Sequence, residues 1–210
     1  MTRRILIISA LLAAFLTAPF NAIGTSMGQP LEQAPSVTNP LVTIKTTKGD
    51  MVVELDRERA PITVANFLDY TERGRFDRTI FHRVVRGFVI QGGGYSQFFN
   101  ERSTASPIAY EGGNGLKNLR GTISMARTDD PNSATSQWFI NLIDNPDLDH
   151  RVTDLGIDYG YAVFGKVLCG IEVADAIGAV ETGAGGPFES EVPLEPIVIL
   201  RVDETPMADE

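Results

Sequence analysis

The stretch FHRVVRGFVIQGGG, residues 81 to 94, sets Arg83 among Phe81, Val84, Val85, Phe88 and Val89. A guanidinium is costly to take out of water. It also keeps its proton throughout the range in which proteins work, so it serves no acid–base step. What it supplies is a rigid fork of donors whose electrostatic effect grows as the surroundings become drier. Strand alternation from Phe88 puts Val89 and Gln91 on one face, so an apolar surface and a neutral amide recur within one hairpin of the charge. The same pattern suits a strand arginine whose head reaches water, or one half of an ion pair with one of the chain's 27 acids.

Other groupings carry less chemistry. His82 and His150, with many serines and aspartates, do not make a hydrolase triad: there is no G-x-S-x-G elbow. His82 neighbours Arg83 in a strand and so points away from it, as a hydrogen-bonded core residue would. Gly92-Gly93-Gly94 is followed by neither a lysine nor a helix pattern, so it reads as a strand-end turn rather than a phosphate cradle. GAGG at 183 to 186 reads as a loop. Two histidines and one cysteine offer no zinc cluster, and Cys169 alone forms no intramolecular bridge. Neither metal nor cofactor is expected.

The elements that must position these residues are short and mostly extended. LVTIKTTKGDMVVELD holds two apolar-alternating runs around Lys48-Gly49-Asp50, a hairpin signature. Further strand-like runs are TIFHRVV, FVIQGG, TISMAR, QWFIN, YAVFGKV and PIVILRV, eight strands in all. A mainly β fold follows, a closed eight-stranded antiparallel barrel in which no edge is left exposed. Two helices cap it. Pro61 opens the first, with an apolar stripe of Ile62, Ala65, Phe67, Leu68 and Tyr70 before Gly74. IEVADAIGAV, residues 171 to 180, is the second, with Ile171, Val173, Ala174 and Ile177 on one side. The loops 95 to 119 and 142 to 160 are long enough to suggest function.

Residues 1 to 24 read as a secretory signal peptide: Thr2-Arg3-Arg4, the apolar run Ile5 to Leu16, then the small-residue site Ala22-Ile23-Gly24. The run is too short for a bilayer span, so no membrane insertion is expected after cleavage. Losing this segment removes two arginines and no acid, moving the formal charge from −9 to −11. Such an acidic chain is a poor match for nucleic acid. Residues 25 to 40, with three prolines, read as a flexible linker. The folded domain spans 41 to 202, and 203 to 210, DETPMADE, reads as a disordered acidic tail.

FHRVVRGFVIQGGG, together with GTISMAR (121 to 127), SQWFIN (136 to 141) and YAVFGKV (161 to 167) in that order, resembles the cyclophilin family of peptidyl-prolyl isomerases. The resemblance covers roughly residues 41 to 202 and is most similar to the family's bacterial, exported branch. It implies an eight-stranded antiparallel barrel with two capping helices. It places the catalytic arginine on Arg83 and the amide that holds the substrate backbone on Gln91. The apolar floor for the substrate proline falls on Phe88, Val89, Phe139 and Leu148, with the backbone of Ala126 and Arg127 beside it. Gln137 matches a groove residue, and Tyr161 stands where bacterial members carry tyrosine. Three positions depart from the pattern. Arg86 replaces a usual proline and would bring a second positive charge to the rim, favouring acids beside the proline. Asp147 replaces the aromatic that helps bind cyclosporin, so weak cyclosporin binding, micromolar or poorer, is expected. Trp138 replaces a phenylalanine and serves the core.

The resemblance implies an enzyme that accelerates X-Pro isomerisation in proline-containing polypeptides during the folding of exported proteins, in the periplasm and as a monomer. A proline-binding chaperone or scaffold with incidental catalysis is the alternative.

Overall fold

The computed structural model describes residues 39–205. The chain opens with the expected hairpin, β1 (Leu41–Thr46) and β2 (Gly49–Leu55). Val42, Ile44, Met51, Val53 and Leu55 alternate inward and are fully buried. Helix α1 (Pro61–Glu72) follows, with proline in its first turn. Its buried face is Thr63, Val64, Phe67, Tyr70 and Thr71. Of the expected stripe, Ile62 and Ala65 face solvent instead. The helix is turned because its first N–H groups are claimed by a distant carboxylate: Ile62 N and Thr63 N donate to Glu111 at 3.0 and 2.7 Å. That side-chain cap satisfies two of the orphan donors every helix start leaves. The long segment 95 to 119 thus has a structural duty.

The run TIFHRVV does not form one strand. It splits into β3 (Thr79–Ile80) and β4 (Arg83–Val85) at Phe81-His82. Then come β5 (Val89–Gly92), β6 (Thr122–Met125), β7 (Trp138–Asn141) and a 3-10 turn at Pro146–Leu148. The remaining elements are β8 (Arg151–Thr153), β9 (Gly156–Asp158), β10 (Val163–Cys169), α2 (Ile171–Gly178), β11 (Thr182–Gly185), β12 (Phe188–Pro193) and β13 (Val198–Thr205).

Nine strands form one curled antiparallel sheet in the order β3-β13-β1-β2-β10-β6-β7-β5-β4. The expected eight become nine because TIFHRVV leaves one end of the sheet, where β3 pairs β13, and rejoins it at the other, where β4 pairs β5. The ladder therefore does not close. Its two end strands are joined by two residues of covalent chain, and Phe81 N donates to Ile197 O at 3.0 Å, carrying the β3–β13 pairing one residue further. Inside the curl, Trp138, Phe67, Phe76, Phe81 and Phe164 are fully buried, and Trp138 meets Phe81 edge-on at 5.7 Å between centroids. Burying each such side chain contributes about 1.5–3 kcal/mol. Trp138 is a core residue, as expected. Helix α2 packs against β2, β4 and β5 through Ala174 and Ile177.

Two hairpins stand outside the main sheet where loops were expected, β8–β9 within 142 to 160 and β11–β12 over GAGG. Gly156 in the first, and Gly183, Gly185, Gly186 and Pro187 in the second, mask their strand propensity. The first is held by Arg151 and Asp158, which face each other with a 2.7 Å ion pair. The second is held by Phe188, which stacks on His82.

The boundaries of the fold also move outward. Asn39 and Pro40 belong to the fold rather than to a linker, because Arg57 N donates to Asn39 Oδ1 and Leu55 N to Pro40 O. At the far end Asp203, Glu204 and Thr205 pair with β1, so the strand takes the start of the expected tail. The expected signal peptide, the rest of the linker up to residue 38 and the tail from 206 lie outside the described residues.

Candidate active site

Strand register assembles the site. Arg83 stands opposite Gln91, Gln91 opposite Phe139, and Phe139 opposite Ser124. Facing residues in adjacent antiparallel strands point to the same side, so the first three form one row on the sheet's outer face. One residue along, Val84, Ile90, Ile140 and Ile123 form the matching inner row, each 2% exposed or less. The period of two thus divides a single patch of sheet into core and groove.

The groove on the outer face is lined by Arg83, Phe88, Val89, Gln91, Ala126, Arg127, Phe139, Leu148 and Tyr161. These are all but one of the residues expected from the sequence. Its cavity volume is about 100 Å³, below the roughly 300–1,000 Å³ of pockets that enclose a drug-sized ligand. That size suits one small side chain. Larger clefts of about 270 and 500 Å³ lie around Lys117 and Lys166 and between α1 and β13, without a comparable row of apolar and donor groups.

Val89 and Phe139 make a dry floor, 2% and 4% exposed. The Tyr161 ring meets Phe139 edge-on at 5.4 Å, and the Arg127 guanidinium lies 5.0 Å over the Tyr161 ring. Arg127 is held there by donating from Nε to Gly160 O at 2.7 Å. Gln137 is the exception among the expected residues. It precedes β7, and its side chain lies over Gly94, where a Cβ would come within 2.7 Å of it. It reaches the groove only through Gln91, whose Nε2 donates to Gln137 Oε1 at 2.9 Å. That bond takes one of the two Gln91 amide hydrogens and leaves its carbonyl oxygen free to accept. The triple glycine is thus a close-packing device rather than a phosphate cradle. At Gly93, with φ +84°, a Cβ would meet Ser136 O at 2.7 Å.

Beneath the floor runs a buried polar network that the sequence did not advertise. Asn118 Nδ2 donates to Leu148 O at 2.9 Å, and its Oδ1 accepts from Ser124 Oγ at 2.7 Å and from Asn141 Nδ2 at 3.2 Å. Asn145 Nδ2 donates to Asn141 Oδ1 at 2.8 Å and to Phe88 O at 3.2 Å. The carbonyls of Leu148 and Phe88, two walls of the groove, are thereby tied together from below. Asparagines in loops are too common for any sequence signal to have marked these.

Arg83 is half-exposed, and its Nε donates to Glu191 Oε2 on β12 at 2.7 Å. The ion-pair reading of this arginine is therefore realised together with its place in the groove. His82, just before β4, is buried against Phe188 and Tyr95. Its Nδ1 has no hydrogen-bond partner among the described residues. Burial is the main cause that lowers its pKa to about 4; the Arg83 charge adds to this, and hydrogen bonding to Gln137 and Ile80 opposes it. It is a neutral core residue, as expected. Arg86 does not stand free at the rim: its Nη2 donates to Ala179 O at the end of α2, a favourable place for a cation. The side chain is exposed and keeps its charge, but its head is directed to the end of α2. No cluster able to hold a metal ion occurs among the described residues.

Comparison with known proteins agrees with this geometry. The model of the family described as cyclophilin type peptidyl-prolyl cis-trans isomerase/CLD matches residues 41–204. Peptidyl-prolyl cis-trans isomerase A of Dickeya dadantii is 47% identical over 184 residues, which cover 88% of this chain and 93% of that one. Peptidyl-prolyl cis-trans isomerase B of Escherichia coli is 46% identical over 162 residues, 77% of this chain and 98% of that one. Among solved structures, a cyclophilin type isomerase of Cryptosporidium parvum superposes with a TM-score of 0.61 at 28% identity, covering 80% of this chain and 99% of that one. A cyclophilin of Hirschia baltica, 23% identical, shares the fold with a TM-score of 0.61 over 78% of this chain and 73% of its own.

Proposed function

The chain belongs to the cyclophilin-type peptidyl-prolyl cis-trans isomerases, and from that premise we propose that the groove around Arg83 is where it isomerises X-Pro bonds. The observation that carries the assignment is the row Arg83–Gln91–Phe139, which sets a fixed cation, a free amide acceptor and an apolar floor side by side.

An X-Pro bond turns over a barrier of roughly 18–20 kcal/mol because amide resonance is lost at the twisted midpoint. No bond between heavy atoms breaks. At the twist the prolyl nitrogen becomes pyramidal and regains a lone pair, so a donor aimed at it binds the transition state better than either planar isomer. Arg83 is that donor. The floor of Val89 and Phe139 holds the ring and excludes water, which strengthens the donor. The free carbonyl of Gln91 accepts from the substrate backbone and holds it while the carbonyl before proline rotates. A single donor of this kind supplies roughly 3–4 kcal/mol, two to three powers of ten in rate.

Exchange measured on a proline tetrapeptide tests the assignment. Arg83→Ala is expected to stay folded and lose at least tenfold in activity, and a folded variant with normal activity refutes it. Arg83→Lys keeps the charge without the fork and is expected to stay well below wild type.

We further propose that the natural substrates are X-Pro bonds of proteins folding after export, most simply in a periplasm, and that the enzyme works as a monomer. The basic-apolar-small pattern of residues 1 to 24 supports export. Asp147 side-chain exposure of 93% and its 3.4 Å pairing with Arg151 leave no aromatic for cyclosporin at that position, which supports weak binding.

A further inference from the structure

We infer that Glu191 is a positioning residue for the isomerase, fixing the plane of the Arg83 guanidinium; this rests on the assignment of Arg83 as the donor. Arg83 sits on β4, a three-residue strand at one end of the sheet, and its side chain is 39% exposed. A long side chain so placed has many rotamers, and each unproductive one dilutes the catalytic geometry. Among the described residues its one hydrogen bond is Nε to Glu191 Oε2, at 2.7 Å. Nε lies at the base of the fork. A bond there stops rotation of the plane and leaves both Nη groups free for the groove, whereas a bond at Nη would consume the donors themselves.

The backbone of Glu191 is a second observation. Its φ is +66°, in the left-handed region that glycine and asparagine enter readily and glutamate does not. Such strain persists only where the surroundings over-determine it, and it clusters at functional positions. Here the surroundings are the β11–β12 hairpin, which packs along β4. Phe188, three residues before Glu191, stacks on His82 at 5.5 Å and meets Tyr95 edge-on at 5.0 Å. On the other side Val192 is buried, 3% exposed. The hairpin is thus fastened beside β4 at His82, the residue immediately before Arg83. His82, buried and neutral, is the fastening point.

The pair itself adds little to stability, since both side chains are 39% exposed and water screens the attraction. Its effect therefore belongs in turnover rather than in folding. A structural role and a positioning role make opposite forecasts for Glu191→Gly, which relieves the left-handed backbone while deleting the carboxylate. Positioning forecasts an unchanged or higher melting temperature with a lower kcat.

The experiment is steady-state isomerisation of a proline tetrapeptide, with kcat and KM separated, for Glu191→Ala, Glu191→Gly, Glu191→Gln, Arg83→Ala and the Arg83→Ala/Glu191→Ala double variant. The expected result is a three- to thirtyfold lower kcat in Glu191→Ala and Glu191→Gly with KM within twofold. Glu191→Gln, which keeps an acceptor oxygen at the same reach, recovers part of the loss. In the Arg83→Ala background, removing Glu191 changes nothing further. The inference is overturned by equal fractional losses in both backgrounds, by a change confined to KM, or by a rise in kcat, which would make the carboxylate a restraint on the arginine. If Arg83→Ala is impaired while Glu191→Ala matches wild type, only the role of Glu191 falls. If Arg83→Ala is fully active, the site assignment falls and takes this inference with it.

Discussion

Replacing Asn118 by leucine tests whether the groove is held from beneath. Leucine has the branching and heavy-atom count of asparagine with bulkier methyl ends, so it fills the site and admits no substitute water, but it makes no hydrogen bond. Ser124 Oγ, fully buried, loses the Asn118 Oδ1 that accepts its proton at 2.7 Å. An orphaned buried hydroxyl costs about 1–3 kcal/mol. Asn141 Nδ2 keeps Thr122 Oγ1 at 3.0 Å, and Leu148 O keeps the Tyr161 N–H at 2.8 Å, so each of these loses one partner of two. Each lost bond adds about 0.5–1.5 kcal/mol. The sum is about 2–6 kcal/mol, a large share of the roughly 5–15 kcal/mol a domain commands. Urea unfolding should show this as a lower midpoint with an unchanged m-value. At a temperature where the variant remains folded, KM for a proline peptide should rise several-fold, because Leu148 and Phe88 are tied through the same network. A loss below about 1 kcal/mol, with KM unchanged, would refute the argument that the network positions the groove.

Two further outcomes follow from the geometry. His82 is neutral in the fold, with a pKa lowered from 6.5 to about 4, whereas an unfolded chain protonates it below about 6.5. Folding is therefore favoured fully above about pH 6.5 and loses about 3 kcal/mol as the pH falls from there to about 4. His82→Phe, which preserves stacking on Phe188, should flatten that part of the stability profile relative to wild type, and parallel profiles would count against it. Arg86→Ala should cost about 0.5–1 kcal/mol in urea unfolding through the lost contact with the end of α2. It should leave the preference among acidic, neutral and basic residues beside proline unchanged; a selective loss for acidic peptides would restore the rim-charge reading.

Much of the groove was legible because the chemistry and the period of the strand coincide in one stretch. Val89 and Gln91 share parity on one strand, and the short turn before it sets the register that brings Arg83 opposite Gln91 on the same side. Phe139 was reached through the resemblance of SQWFIN, and register then set it beside Gln91. The first helix was legible in extent but not in orientation, because the carboxylate that turns it lies 49 residues away in Glu111. The two outlying hairpins were hidden because their strands are stabilised by partners rather than by propensity.

The sequence by itself determined a mainly β domain with two helices, the residues of the groove and the family, since these depend on local alternation and on motifs carried in order along the chain. Only the tertiary structure decided that TIFHRVV breaks to join the two ends of a nine-stranded sheet. It likewise decided that Arg86 belongs to α2, that Asn118 underlies the floor and that Glu191 holds Arg83. Each of these is a contact between residues distant in sequence, made by hydrogen bonds and charges whose partners are chosen by how the sheet curls. A pattern read along one strand contains no term for that choice.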